Sequence, residues 1–104
     1  MPDKPTDEEK VLALSAKDAH VLIVMINSEG WKVIKRMYFD VSIKKIRKYL
    51  DDTKNTDMHI IQGKRELINW IQKLLDDIKL TIDIGLANEK ELAERVKLRK
   101  IRGE

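Results

Sequence analysis

The sequence contains no cysteine, and its 104 residues include only four glycines and two prolines. Without cysteine, neither a disulfide framework nor a thiolate metal site can form. A low content of glycine and proline is typical of long helices joined by few turns. Aromatic residues make up only 5% of the chain, so we expect a core built mainly from isoleucine, leucine and valine.

Long apolar runs are also missing. The most apolar segment, residues 19–26, is far shorter than the roughly 20 residues that a membrane span needs. The first ten residues are acidic and polar, unlike a secretory signal. We therefore expect a protein that neither is secreted nor spans a membrane, and that acts in a cytosolic setting or in an assembled particle.

Charge is abundant and arranged in blocks of alternating sign. Charged residues make up 38% of the chain, and the net charge is +3. The net charge is −3 over residues 1–29, +6 over 30–50, −4 over 51–94 and +4 over 95–104. Blocks of opposite sign suit packing within the chain or between copies at least as well as they suit nucleic acid.

The longest helical pattern covers residues 56–84, where apolar residues recur every three or four positions and form a stripe about 140° wide. A second helical pattern covers residues 31–51, and Ser28 before it can act as its cap. A polar turn separates them, in which Asn55 can adopt a left-handed conformation and Thr56 can cap the following helix. So short a connection predicts an antiparallel helical hairpin, similar to a coiled coil.

A leading helix is predicted over residues 6–27, after a loose tail at residues 1–5. Thr6 and Glu9 have the spacing of a capping box, and a similar start signal at Ser15 leaves open one kinked helix or two short ones. Residues 21–26 are rich in β-branched side chains, so a β-strand is the structural alternative there.

The last segment, residues 86–102, is predicted to be a basic helical arm. Gly85 is placed as a helix end or hinge, and Asn88 as the cap of the arm, with Glu91 in the capping-box position. Because this helix alone would be marginal in water, we expect it to become ordered on contact with a partner. The whole chain is thus predicted to be a single all-α domain.

Helix 31–51 has two apolar sides about 100° apart, which indicates that it packs against two neighbours. One neighbour is the second arm of the hairpin, and the other is the leading helix or a second subunit. For the two tryptophans, buried packing anchors and exposed contacts for a partner both remain open. The candidate protein-interaction residues are Trp31, Ile34, Tyr38, Val41, Phe39, Ile43, Ile46 and Trp70.

Two basic groups are candidates for binding nucleic acid, although a solvated face paired with the acidic blocks explains them as well. Residues 88–104 also have the composition of the first half of a helix-turn-helix, without the recognition helix. The candidate nucleic-acid-binding residues are Lys44, Lys45, Arg47 and Lys48 in helix 31–51 and Arg95, Lys97, Arg99, Lys100 and Arg102 in the arm.

No catalytic, metal or cofactor site is predicted. His20 and His59 are far apart in the sequence and show no ligand spacing. The aspartates of residues 51–57 lack the order of a calcium-binding loop. No serine lies in a nucleophile motif, and no glycine-rich phosphate loop is present. We therefore expect a protein that is not an enzyme.

Two segments carry a resemblance to a known group. Residues 27–34, Asn-Ser-Glu-Gly-Trp-Lys-Val-Ile, and residues 61–67, Ile-Gln-Gly-Lys-Arg-Glu-Leu, resemble a group of small helical proteins from tailed bacteriophages. The resemblance extends over about residues 20–78. It implies a role in the virion or its assembly, near the head or portal, and a location in the virion or the host cytoplasm.

The resulting hypothesis is a non-enzymatic phage structural or assembly protein. Its expected partners are further copies of itself, in a homo-oligomer, or a larger virion protein. The alternative is a nucleic-acid-binding regulator or packaging factor that uses the two basic groups. A small inhibitor of a host enzyme is a third possibility that the sequence does not distinguish.

Overall fold

The computed structural model describes residues 4–103. Across these residues the regular secondary structure is helical, without a β-strand, which confirms the predicted all-α class. The β-strand considered for residues 21–26 is a helix instead. The elements in chain order are α1 (Asp7–Ile26), α2 (Glu29–Ile34), a π-helical segment (Lys35–Asp40), α3 (Val41–Asp51) and α4 (Met58–Ile101).

The leading helix is a single helix, α1, that passes through Ser15 without a break. At its start the Thr6 hydroxyl accepts a hydrogen bond from the Glu9 amide at 3.1 Å, as the capping-box spacing predicts. A second start at Ser15 is therefore wrong. The Ser15 hydroxyl instead accepts a hydrogen bond from Asn88 of α4 at 2.9 Å.

Short polar caps separate the other helices. The Ser28 hydroxyl accepts a hydrogen bond from the Trp31 amide at 3.1 Å, as predicted for the cap of α2. The cap of α4 is Asp57 and not Thr56, because the Asp57 carboxylate accepts hydrogen bonds from the amides of His59 and Ile60 at 3.0 and 3.3 Å.

Asn55 closes the end of α3 through its side chain. Its amide donates a hydrogen bond to the Tyr49 carbonyl at 2.9 Å. Among residues 4–103 no residue other than glycine has a positive φ angle, so the left-handed conformation predicted for Asn55 is wrong. The Asn55 side chain thus satisfies a carbonyl at the end of α3. In a left-handed turn, a backbone amide would donate to such a carbonyl instead.

The π-helical segment changes the register of the predicted helix 31–51. A π-helix hydrogen-bonds from i to i+5, so each turn holds about one residue more than an α-turn. A regular α-helix would place Trp31 and Phe39 on different apolar sides. In the structure their ring centroids lie 5.9 Å apart. The Trp31 ring thus packs against Phe39, while Ile34, Tyr38 and Val41 remain exposed.

The last helix, α4, runs from Met58 to Ile101 without a break. A helix end at Gly85, a cap at Asn88 and a separate arm over residues 86–102 are therefore wrong. Gly85 is buried inside the helix. A Cβ atom placed there would overlap the Ala19 side chain and lie 2.5 Å from the Ser15 carbonyl oxygen. The glycine permits close helix packing and does not act as a hinge.

The chain divides into two compact units. We call the described residues up to Met25 together with those from Ile78 onward the terminal unit, and Ile26–Asp77 the hairpin unit. Composition predicts a single domain, and whether the two units fold together stays a prediction.

In the hairpin unit, α3 packs against the first part of α4. The core consists of Ile46, Ile68 and Ile71, which are 5–8% exposed. Phe39, Ile43, Leu50 and Leu75 pack around these three isoleucines. This contact is the antiparallel pairing that the short connection predicted.

In the terminal unit, α1 packs against the last part of α4 through small side chains. Ala19 is completely buried, and Ala16, Leu12 and Ile82 are nearly so. Because Gly85 faces Ala19, the two helix backbones can approach closely. The predicted arm is therefore part of a packed helix pair within the chain.

Candidate interaction surfaces

Many large apolar side chains remain exposed in both units. Among residues 4–103 no large side chain is less than 2% exposed, while Val24 and Ile101 are each more than 70% exposed. Single exposed apolar residues are ordinary on protein surfaces, whereas contiguous ones mark contact sites. The arrangement of these side chains is therefore more informative than their number.

The hairpin unit carries two exposed apolar rows. The first consists of Ile34, Met37, Tyr38 and Val41, which lie along the π-helical segment and at its two ends. The second lies on α4 and has a heptad-like spacing of three and four. It includes Ile60, Leu67 and Trp70, with the exposed Gly63 between the first two. Tyr38 and Trp70 are the most exposed, at 63% and 61%.

The eight predicted interaction residues separate into two groups. Ile34, Tyr38, Val41 and Trp70 are exposed in the two rows. The other four belong to the packing of the hairpin unit itself: Ile46 is buried, Phe39 and Ile43 pack on the core, and Trp31 is half-buried against the Phe39 ring. A buried anchor is thus the wrong interpretation for Trp70.

The basic residues of α3 line a shallow groove together with Gln72 of α4. Lys44, Arg47 and Lys48 line it, and Lys45 is exposed nearby on the same helix. Three carboxylates share the groove, from Asp40, Asp51 and Asp52. These acidic groups lower the positive potential that a phosphate backbone would require.

Of the five predicted basic residues in the C-terminal segment, two pair with carboxylates and three are exposed. The Arg95 guanidinium donates to the carboxylates of Glu8 at 2.9 Å and Glu91 at 2.8 Å. Arg99 pairs with the nearly buried Glu9. Lys97, Lys100 and Arg102 are exposed. Two of the five predicted phosphate-binding residues are thus engaged within the chain.

The ion pairs of Arg95 shift the pKa values of two groups at the edge of the terminal unit. The hydrogen bond and charge of Arg95 hold the pKa of the Glu8 carboxyl below its usual value. The two carboxylates raise the pKa of Arg95 in turn. Both favour the charged forms at neutral pH.

Sequence reasoning missed the contacts between α1 and α4 because they are distant in the chain. His20 Nε2 lies 2.5 Å from Glu89 Oε2, and Ser15 pairs with Asn88. The only local signal was Gly85, which was interpreted as a hinge. A glycine inside a strong helical pattern is also compatible with close packing.

Within residues 4–103 no group of three or more histidine, cysteine, aspartate or glutamate side chains is arranged to hold a metal ion. Across the same residues no single helix is long and apolar enough to cross a membrane. Two consecutive helical stretches, Asp7–Ile26 and Glu29–Asp51, reach the length and apolar composition of a membrane span only when they are taken together.

No family model matches the chain, and no curated protein or solved structure matches it significantly. The resemblance to small phage proteins therefore stays a prediction.

Proposed function

We propose that this chain is a non-enzymatic assembly protein that acts through helix–helix contacts, either as an oligomer or docked on a larger protein. The observation that carries the proposal is the pair of exposed apolar rows on the hairpin unit. The resemblance of residues 27–34 and 61–67 to small proteins of tailed bacteriophages supplies the proposed setting, a virion or its assembly.

The magnitudes favour a contact that uses more than one row. Complete burial of a large apolar side chain contributes about 1.5–3 kcal/mol. The four side chains of the first row are roughly half exposed, so covering them contributes about 4 kcal/mol in total. Association itself costs at least about 4 kcal/mol in lost freedom. A stable complex therefore needs both rows, or one row and a second surface.

Light scattering tests the proposal on the whole chain at low and high salt, with and without a short DNA duplex. We expect a mass above the 12.2 kDa of one chain that persists at high salt and leaves the DNA free, because apolar burial is insensitive to screening. The double variant Tyr38→Ser/Trp70→Ser should lose mass. The control Arg36→Ser/Lys73→Ser changes two exposed residues of the same two helical segments and should not lose mass.

A chain that stays monomeric at high concentration and binds no purified virion protein would contradict the proposal. Binding to the duplex only at low salt would instead favour a nucleic-acid-binding regulator. The observation in favour of that alternative is the set of four exposed cations on α3, namely Lys44, Lys45, Arg47 and Lys48.

A further inference from the structure

The terminal unit contains an apolar groove along one side of α4. Its floor includes Ala13 of α1 and Leu92 and Val96 of α4. The apolar surface continues onto Ala93 and Ile101. It covers α4 from residue 92 to residue 101, about 15 Å or three helical turns. The alanines leave room for the backbone of a further helix to approach.

The rims of this groove are positive. Glu9 is paired with Arg99, and Glu89 hydrogen-bonds to His20, so the acidic side chains of the groove already have partners. Lys97 and Lys100 also line it, and neither forms an ion pair with any of residues 4–103. A helix with acidic flanks therefore fits the groove better than a neutral or basic one.

The same unit carries an acidic amphipathic row on α4. Its exposed apolar members are Leu80, at 55%, Ile84, at 49%, and Ala87. Its acidic members continue the spacing of three and four along the helix and are all exposed: Asp83, Glu91 and Glu94. Glu91 is already paired with Arg95, so Asp83 and Glu94 supply the negative charge for a partner. The row is about 21 Å long, which is long enough to cover the groove.

The groove floor at Val96 lies nearly opposite the row on α4, whereas Ile101 lies on the same side as Glu94, seven residues away. Leu80 and Val96 are 16 residues apart, which at 100° per residue is a rotation of about 160°. One copy can therefore offer its row to a neighbour while its own groove is occupied. Such an interface joins two different surfaces, and its repetition forms either a closed ring or an open array.

We propose that a second copy of this chain docks its acidic row, Leu80 to Glu94, into the basic apolar groove of the first, which Lys97 and Lys100 line. This interface rests on the proposed assembly function and names the partner and the two surfaces. The apolar floor receives Leu80 and Ile84. Lys97 and Lys100 face the acidic flanks, so that salt weakens the contact without abolishing it.

Two complementary variants test the interface. Lys97→Glu/Lys100→Glu reverses the groove rim, and Leu80→Ser/Ile84→Ser removes the apolar side chains of the row. All four residues are exposed, so both variants should fold, which circular dichroism checks. Each variant alone should need a concentration at least about tenfold higher than the unchanged chain to assemble, because like charges or lost burial oppose docking. The control Arg65→Glu reverses an exposed basic residue of the same helix in the hairpin unit, outside both surfaces, and should assemble normally.

The mixture of the two variants gives the decisive measurement. Each contributes one intact surface, so an equimolar mixture should restore one docked interface per pair and gain mass above 12.2 kDa at a concentration at which each variant alone does not assemble. A mixture that stays monomeric, while the unchanged chain assembles, would overturn this interface and leave the assembly function standing. An oligomer that survives all four substitutions would also overturn this interface and leave the assembly function standing. A monomeric unchanged chain would overturn the interface, and binding to virion proteins would then decide the proposed function separately.

Discussion

The two units of this protein use different means to hold two helices together. The hairpin unit packs large side chains, with Ile46, Ile68 and Ile71 at its centre. The terminal unit packs small ones, with Gly85 against Ala19, and adds polar pairs at the edges. Large apolar side chains stabilise by the area they remove from water. Small ones stabilise by close backbone approach, which leaves edge groups near enough to pair.

The two units should also differ in which substitutions destabilise them most. A core of large side chains should respond mainly to cavities. A contact of small side chains should respond mainly to added volume. Two experiments test this difference, beginning with the largest expected effect, and a third tests a polar pair at the edge of the terminal unit.

The substitution Ile71→Ala should destabilise the hairpin unit by about 2–5 kcal/mol, because it leaves a cavity in the isoleucine core. The control Leu67→Ala removes a side chain of similar size that is 48% exposed on the same helix and should cost less than about 1.5 kcal/mol. Urea unfolding measures both, and hydrogen exchange locates the loss. Equal effects of the two substitutions would mean that the isoleucine cluster is not the core of this unit.

The same glycine-to-alanine substitution should have opposite effects at two positions of α4. At Gly85 the added methyl group meets the Ser15 backbone, which cannot move like a side chain, so we expect a loss of about 1–3 kcal/mol. At Gly63 nothing lies within 4 Å, so alanine should stabilise the helix by about 0.5–1 kcal/mol. Thermal unfolding of the two variants shows whether each substitution raises or lowers the stability. A stabilising Gly85→Ala would contradict the close packing of α1 on α4.

The smallest effect concerns the pair of Glu8 and Arg95. Arg95 lowers the pKa of Glu8, so the pair stabilises the folded state above the usual pKa of a glutamate. That contribution is lost as the pH falls through the lowered value. Titration of the Glu8 carboxyl by NMR should give a pKa below the usual value, and Arg95→Gln should return it toward normal. An unchanged pKa in the variant would show that the pair does not persist in solution.

Local patterns predicted the features that local forces decide. The all-α class and the caps at Thr6 and Ser28 follow from spacing over a few residues. The pairing of α3 with the start of α4 follows from a short connection. The π-helical segment was not predicted.

The candidate surfaces were predicted only in part. Ile34, Tyr38, Val41 and Trp70 are exposed, but Ile46 lies in the core and Phe39 and Ile43 pack on it. An apolar side chain that packs inside the chain and one that remains exposed look the same in a sequence pattern. The groove of the terminal unit could not be predicted, because it joins residues more than 70 positions apart.

By itself the sequence determined an all-α chain with charge in alternating blocks, more apolar stripes than one hairpin covers, and the helix caps at Thr6 and Ser28. Those properties depend on periodicity and on hydrogen bonds within a turn, which a few neighbouring residues decide. Only the tertiary structure decided that Gly85 is a packing contact, that Arg95 and Arg99 face carboxylates of α1, and which apolar rows stay exposed. These outcomes depend on which distant helix covers which face, because burial and pairing are properties of two surfaces in contact.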